Sequence, residues 1–129
     1  MQDINLFATV VAAASSFLLG GLWYSKLLFE KAWVRESGAP EQPGHPAMVF
    51  GLSFLFSLIA AVAFAVYLGP APELARAVTS GFVVGLCFVA TSFGINYQFA
   101  NRGFLLLAID GGYHIGQFVL FGVVLGLWH

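Results

Sequence analysis

The chain has 129 residues, 60% hydrophobic and 9% charged, with a net charge of −1. A soluble domain carries about 25% charged residues, so this composition cannot cover a water-facing surface. The small net charge also leaves no electrostatic footprint for nucleic acid. The one cysteine, Cys87, excludes an intrachain disulfide and a cysteine-rich metal site.

A membrane-spanning helix needs about 20 mainly apolar residues. The first such segment, about 4–25, has no formal charge, and its start "MQDIN" lacks the basic region of a signal peptide. It is followed by "KLLFEKAWVRESG", read as an interfacial helical extension over about 26–37, and by "GAPEQPGHP", whose prolines and glycines break the helix. The second segment, about 47–69, and the third, about 77–100, are also free of charge, and "LGPAPEL" turns between them. The fourth, about 103–128, carries only Asp110 and His114. Open sheet edges are excluded from lipid. The fold expected is therefore all-α, a polytopic integral membrane protein of one domain, 1–129, with four transmembrane helices in one bundle and short loops.

Lys26, Lys31, Arg35 and Arg102 fall in loops separated by an even number of crossings, and Arg76 is alone on the other side. The positive-inside rule makes the basic loops, 26–46 and 100–103, cytoplasmic and puts both termini outside. Trp23 and Tyr24 then sit at headgroup level, Lys26 snorkels outward, and Phe29 and Trp33 lie on the membrane as interfacial anchors.

Membrane helices associate through small residues and hydrogen bonds. The third helix offers Gly81 and Gly85 and then Ser92 and Asn96, which share one face at about 100° per residue. The fourth offers Gly112 with Gly116 and Gly122 with Gly126. On its other side Asp110, His114 and Gln117 form a polar stripe. Counted from the Asn101–Arg102 turn, Asn96 and Asp110 lie about 9 Å and about 12 Å deep on antiparallel neighbours, within reach of a hydrogen bond to each other. An intramembrane aspartate costs roughly 2.5–3.5 kcal/mol on insertion scales and must be paired, buried or neutral. It serves either as a proton or ion site or as glue between helices, through Asn96, Ser92 or Tyr97. A weak internal echo also stands out: "GLWY" (Gly21–Tyr24) and "GINY" (Gly94–Tyr97) both precede a basic loop.

No cofactor is expected. Beside His114 the other histidines, His45 and His129, lie in a loop and at the terminus, a poor arrangement for haem, and Asp110 with His114 is too few ligands for a metal. No catalytic residue is expected either, since Ser15, Ser16, Ser53 and Ser57 are mid-helix without a nearby base and no phosphate-binding or metallohydrolase motif occurs.

The segment "LGGLWYSKLLFEKAW" resembles the signature of the bacterial membrane family called domain of unknown function 1761, which has about this length, four predicted helices and a W-Y-S-P-x-L-F-G-x-x-W pattern. Trp23, Tyr24, Ser25, Leu28, Phe29 and Trp33 match it. Lys26 stands where proline is usual and Glu30 where glycine is usual, which leaves the helix free to continue past Ser25. The resemblance implies the architecture and no activity.

Two functions fit these residues. One is a non-enzymatic protein that packs through its glycine-rich helices into a homo-oligomer or a larger membrane complex, its partners being the bilayer and a second copy or another membrane protein. The alternative is a small transporter or proton pathway that uses the Asp110, His114 and Gln117 stripe. The basic asymmetry generates a direct test of topology. With Cys87 replaced, cysteines at Gly44 and Ala71 are expected to react with an impermeant thiol reagent from opposite sides, Ala71 from outside. Labelling of both from one side contradicts the four-helix reading.

Overall fold

The computed structural model describes residues 3–39 and 44–129. Its regular structure is helical throughout: α1 (Leu6–Trp23), α2 (Glu30–Ser37), α3 (Pro46–Leu68), α4 (Leu74–Phe99) and α5 (Phe104–Leu127). The helices α1, α3, α4 and α5 are each long and apolar enough to cross a membrane. They coincide with the four segments read from the sequence, with ends shifted by up to three residues.

Local chemistry sets the ends. Asn5 caps α1 by accepting the Ala8 N–H through Oδ1 at 3.1 Å. His45 does the same for α3 with the Ala47 N–H at 3.3 Å, and Pro46 occupies the first turn, where its missing N–H costs nothing. Gly69, at φ 89°, closes α3, and Arg76 Nη1 donates to the Leu68 carbonyl at 3.1 Å. Asn101, at φ 56°, makes the tight turn between α4 and α5.

One expectation changes here. The chain does not run helically from Ser25 into the interfacial segment: α1 stops at Trp23, and helix resumes only at Glu30. Between them the Phe29 N–H donates to the Trp23 carbonyl and the Glu30 N–H to the Ser25 carbonyl, both at 3.1 Å. The turn needs no proline, because the Ser25 hydroxyl helps to form it, donating to Leu22 O at 2.6 Å and accepting from the Leu27 N–H at 3.2 Å. The proline-rich break expected after α2 lies partly outside the described residues. Within them, Gly38 ends α2 in the left-handed region at φ 68°.

The central helix is α5. It packs along α4 and α1, and its C-terminal half receives α3. Small residues let the backbones approach. A Cβ on Gly81 would strike the Phe118 carbonyl, and one on Gly85 would lie 2.6 Å from the Ile115 Cα. Gly122 and Gly126 face the backbone of Ala77 and Leu74, whereas Gly112 and Gly116 face Trp23 and Leu19 of α1. Away from these contacts an apolar core of Ala8, Ala12, Ala61, Phe64, Leu68, Phe118, Phe121 and Leu125 joins α1, α3 and α5.

Helix α4 is not a plain α-helix. Residues Gly85–Ala90 form a π-turn, which fits one extra residue into the coil. In an unbroken α-helix Tyr97 would lie about 160° around the axis from Gly81; the added residue takes back roughly 100°. The loosened carbonyls stay bonded. Thr91 Oγ1 donates to Cys87 O at 2.7 Å and Ser92 Oγ to Phe88 O at 2.6 Å.

Candidate functional site

The π-turn decides which residues meet Asp110. Straight-helix geometry puts Ser92 and Asn96 on the face of Gly81 and Gly85. After the rotation it is Phe93 and Tyr97 that face α5, and Ser92 and Asn96 are exposed. Asn96 therefore does not pair with Asp110, and the Ser92 hydroxyl is spent within its own helix.

Asp110 is 8% exposed and lies about 9 Å along α5 from Phe104. Its Oδ1 accepts the Tyr24 hydroxyl at 2.6 Å, and its Oδ2 accepts the Tyr97 hydroxyl. Both donors are phenol hydroxyls, one to each oxygen. The carboxylate is thus gripped from both sides, by the residue just past α1 and by the last turn of α4. These tyrosines close the "GLWY" and "GINY" echoes, so the two matching positions converge on one acid.

Around this pair the end of α1 is drawn inward. Trp23 Nε1 donates to the Ile109 carbonyl at 2.9 Å, and Phe29 packs on the Trp23 ring with centroids 4.9 Å apart. Trp33 of α2 lies edge-on to Tyr24 at 5.7 Å. Trp23 and Tyr24 therefore reach into the bundle, each by one hydrogen bond to α5, whereas Lys26 is exposed.

His114 and Gln117 belong to a second network. His114 Nδ1 is 2.6 Å from Gln117 Oε1, the Gln117 amide donates to Ser57 Oγ over a long 3.5 Å, and Ser57 Oγ is 2.8 Å from Ser16 Oγ. Ser16 Oγ also lies 2.9 Å from the Ala13 carbonyl, which accepts only. The protons then have one consistent order: Ser16 donates to Ala13, Ser57 to Ser16, Gln117 to Ser57 and His114 to Gln117. This chain crosses from α5 through α3 to α1. Tyr113 runs beside it, donating to the Ser16 carbonyl at 3.0 Å. The stripe seen in the sequence is one face in space, but it serves two separate networks.

Sequence reasoning gives Tyr97 as one of three partners for Asp110, beside Asn96 and Ser92, and Ser16 and Ser57 only as mid-helix serines; it does not single out Tyr24 as a partner of Asp110, nor Phe93 and Tyr113. For Tyr24 the echo was the one signal. Among the described residues no three His, Cys, Asp or Glu side chains gather as a metal site would require.

The chain belongs to the family described as Protein of unknown function (DUF1761), whose model matches residues 7–126. Neither the curated proteins nor the solved structures gave a match. The family match spans Trp23, Tyr24, Tyr97 and Asp110, the residues that fasten the three helices.

The rotation of α4 separates Tyr97 from its neighbour. Tyr97→Phe is expected to lower stability by about 0.6–1.7 kcal/mol, the range of intramembrane hydrogen bonds, while Asn96→Ala and Ser92→Ala leave it within about 0.5 kcal/mol. Thermal unfolding in detergent measures this. A loss for Asn96→Ala that equals or exceeds that for Tyr97→Phe rejects the assigned partner.

Proposed function

We propose that this protein is a non-enzymatic membrane assembly protein, a small helical core that packs against a second copy or another membrane protein. The observation that carries this reading is the state of its intramembrane acid. Asp110 has both oxygens bonded by protein hydroxyls, and those bonds tie α1 and α4 to α5. An acid used in this way holds helices together. In this reading the end bearing Lys26, Lys31, Arg35 and Arg102 faces the cytoplasm of a bacterial cell, and the chain termini face outward.

In this reading the other helix docks on the side of α4 and α5 that faces away from α1 and α3. There a groove of about 600 Å³ is lined by Ala90, Gly94, Gln98, Ala108, Gly111 and their neighbours. Small residues in such a groove let another helix approach closely, which is how membrane helices associate without a hydrophobic drive.

The second reading, a small proton or ion pathway, rests on the His114–Gln117–Ser57–Ser16 chain. That chain ends on the Ala13 backbone carbonyl, which has no proton to pass on. It favours a fixed brace more than a conductor.

Asp110→Asn keeps the size of the side chain but cannot ionise. Under the assembly reading it retains the oligomeric state of the wild type and, in liposomes, dissipates a pH gradient no differently. Under the pathway reading it abolishes flux that the wild type shows. Gly94→Leu fills the groove, and a Cβ there meets only the Leu107 side chain at 3.6 Å. It is expected to shift the mass in detergent, read by light scattering, toward the monomer with little change in melting temperature. An unchanged mass for a wild-type oligomer argues against this face.

A further inference from the structure

We propose that the bundle holds, between α3 and α4, a lateral site for a neutral amphiphile with a hydroxyl or N–H donor, which hydrogen-bonds to Nε2 of His114. The inference goes beyond the assembly reading and does not depend on it.

The first argument is the proton order. The order of donors from Ser16 to Gln117 makes His114 Nδ1 the donor to Gln117 Oε1, and a ring with its single proton there presents a lone pair on Nε2. Among the described residues Nε2 has no hydrogen-bond partner, and no buried side-chain nitrogen or oxygen lacks one. The nitrogen is therefore not sealed inside the protein. An acceptor at this depth in hydrocarbon gains from a donor that comes to it.

The second argument is the way in. α3 packs on α1 and, by its C-terminal half, on α5, but hardly on α4. Over residues 46–56 it is exposed except at Val49 and Phe54, and its aromatic contacts in this half are Phe50 and Phe54 on Phe17 of α1. The helix that would close the bundle over His114 is thus held to one side. Lipid-soluble molecules reach such an opening from the bilayer without crossing water.

The third argument is the chemistry of the walls. The hydroxyl protons of Tyr24, Tyr97 and Tyr113 are all committed, to Asp110 and to the Ser16 carbonyl. What these groups still offer a visitor is lone pairs. No cationic side chain bonds to Asp110, and the one ion pair among the described residues, Arg35 with Glu36, lies out on α2. An anionic headgroup would meet acceptors beside a carboxylate, so phosphate is excluded. A flat head fits well, because Phe93 stacks on the imidazole at 5.1 Å and 17° and Tyr97 adjoins Phe93 at 5.6 Å.

The test uses the full chain in phosphatidylcholine nanodiscs, with ¹⁵N-labelled histidine and the changes His45→Asn and His129→Gln, which leave His114 as the sole histidine and untouched. The probe is 4-nonylphenol, with its methyl ether as the control that cannot donate. The expected result is an unprotonated Nε2 resonance that moves saturably with the phenol and not with the ether. Adding Phe93→Ala is expected to weaken the phenol's apparent affinity severalfold. A resonance that neither compound moves, or that both move alike, overturns the proposal, as does a free protein whose proton sits on Nε2.

Discussion

Two phenolic hydroxyls meeting one buried carboxylate are what the rest of this structure depends on. In water such hydrogen bonds exchange cheaply with solvent. In a bilayer there is no such competitor, and an unpaired carboxylate carries the cost of its own desolvation. Asp110 therefore constrains its surroundings far more than its size suggests. It requires Tyr24 to lie at the end of α1 and Tyr97 on the inner face of α4. The turn after Trp23, the seat of Trp33 over Tyr24 and the rotation within α4 are all consistent with that requirement.

The opposite half of the bundle is fastened differently. There Gly81, Gly122 and Gly126 bring backbones together and Phe64, Phe118 and Phe121 fill the core, with no buried acid. The chain from His114 to Ala13 lies between these halves and joins α5 to both α3 and α1. α5 thus carries a polar grip near its start, a hydrogen-bonded brace at its middle and close van der Waals packing beyond. Little of it remains for lipid. α4 is the reverse: only Ala77, Gly81 and Gly85 are buried along its whole length.

The four spans were legible because lipid imposes a simple rule of length and apolarity, and the resemblance carried by Trp23, Tyr24, Ser25, Leu28, Phe29 and Trp33 led to the right family. The importance of Asp110 was legible for the same reason, since an acid in that setting is costly. Its partners were legible only in part: Tyr97 stood as one of three choices, and Tyr24 was not among them. "GLCFVA" contains no proline to mark a break, and counting at 100° per residue passes straight through the π-turn, so the count selected Ser92 and Asn96, each one residue short of Phe93 and Tyr97. The turn after Trp23 was hidden in a similar way. It is made by serine and backbone bonds that no pattern of apolar residues records.

The central claim is that Tyr24 and Tyr97 stabilise the bundle through the carboxylate of Asp110 and not merely through their rings. The most direct test is a set of double-mutant cycles, measuring unfolding free energy in detergent for Tyr24→Phe and Tyr97→Phe in the wild type and in Asp110→Leu. The account predicts that each tyrosine change is costly in the wild type and close to neutral once Asp110 is leucine. Costs of the same size in both backgrounds would contradict it.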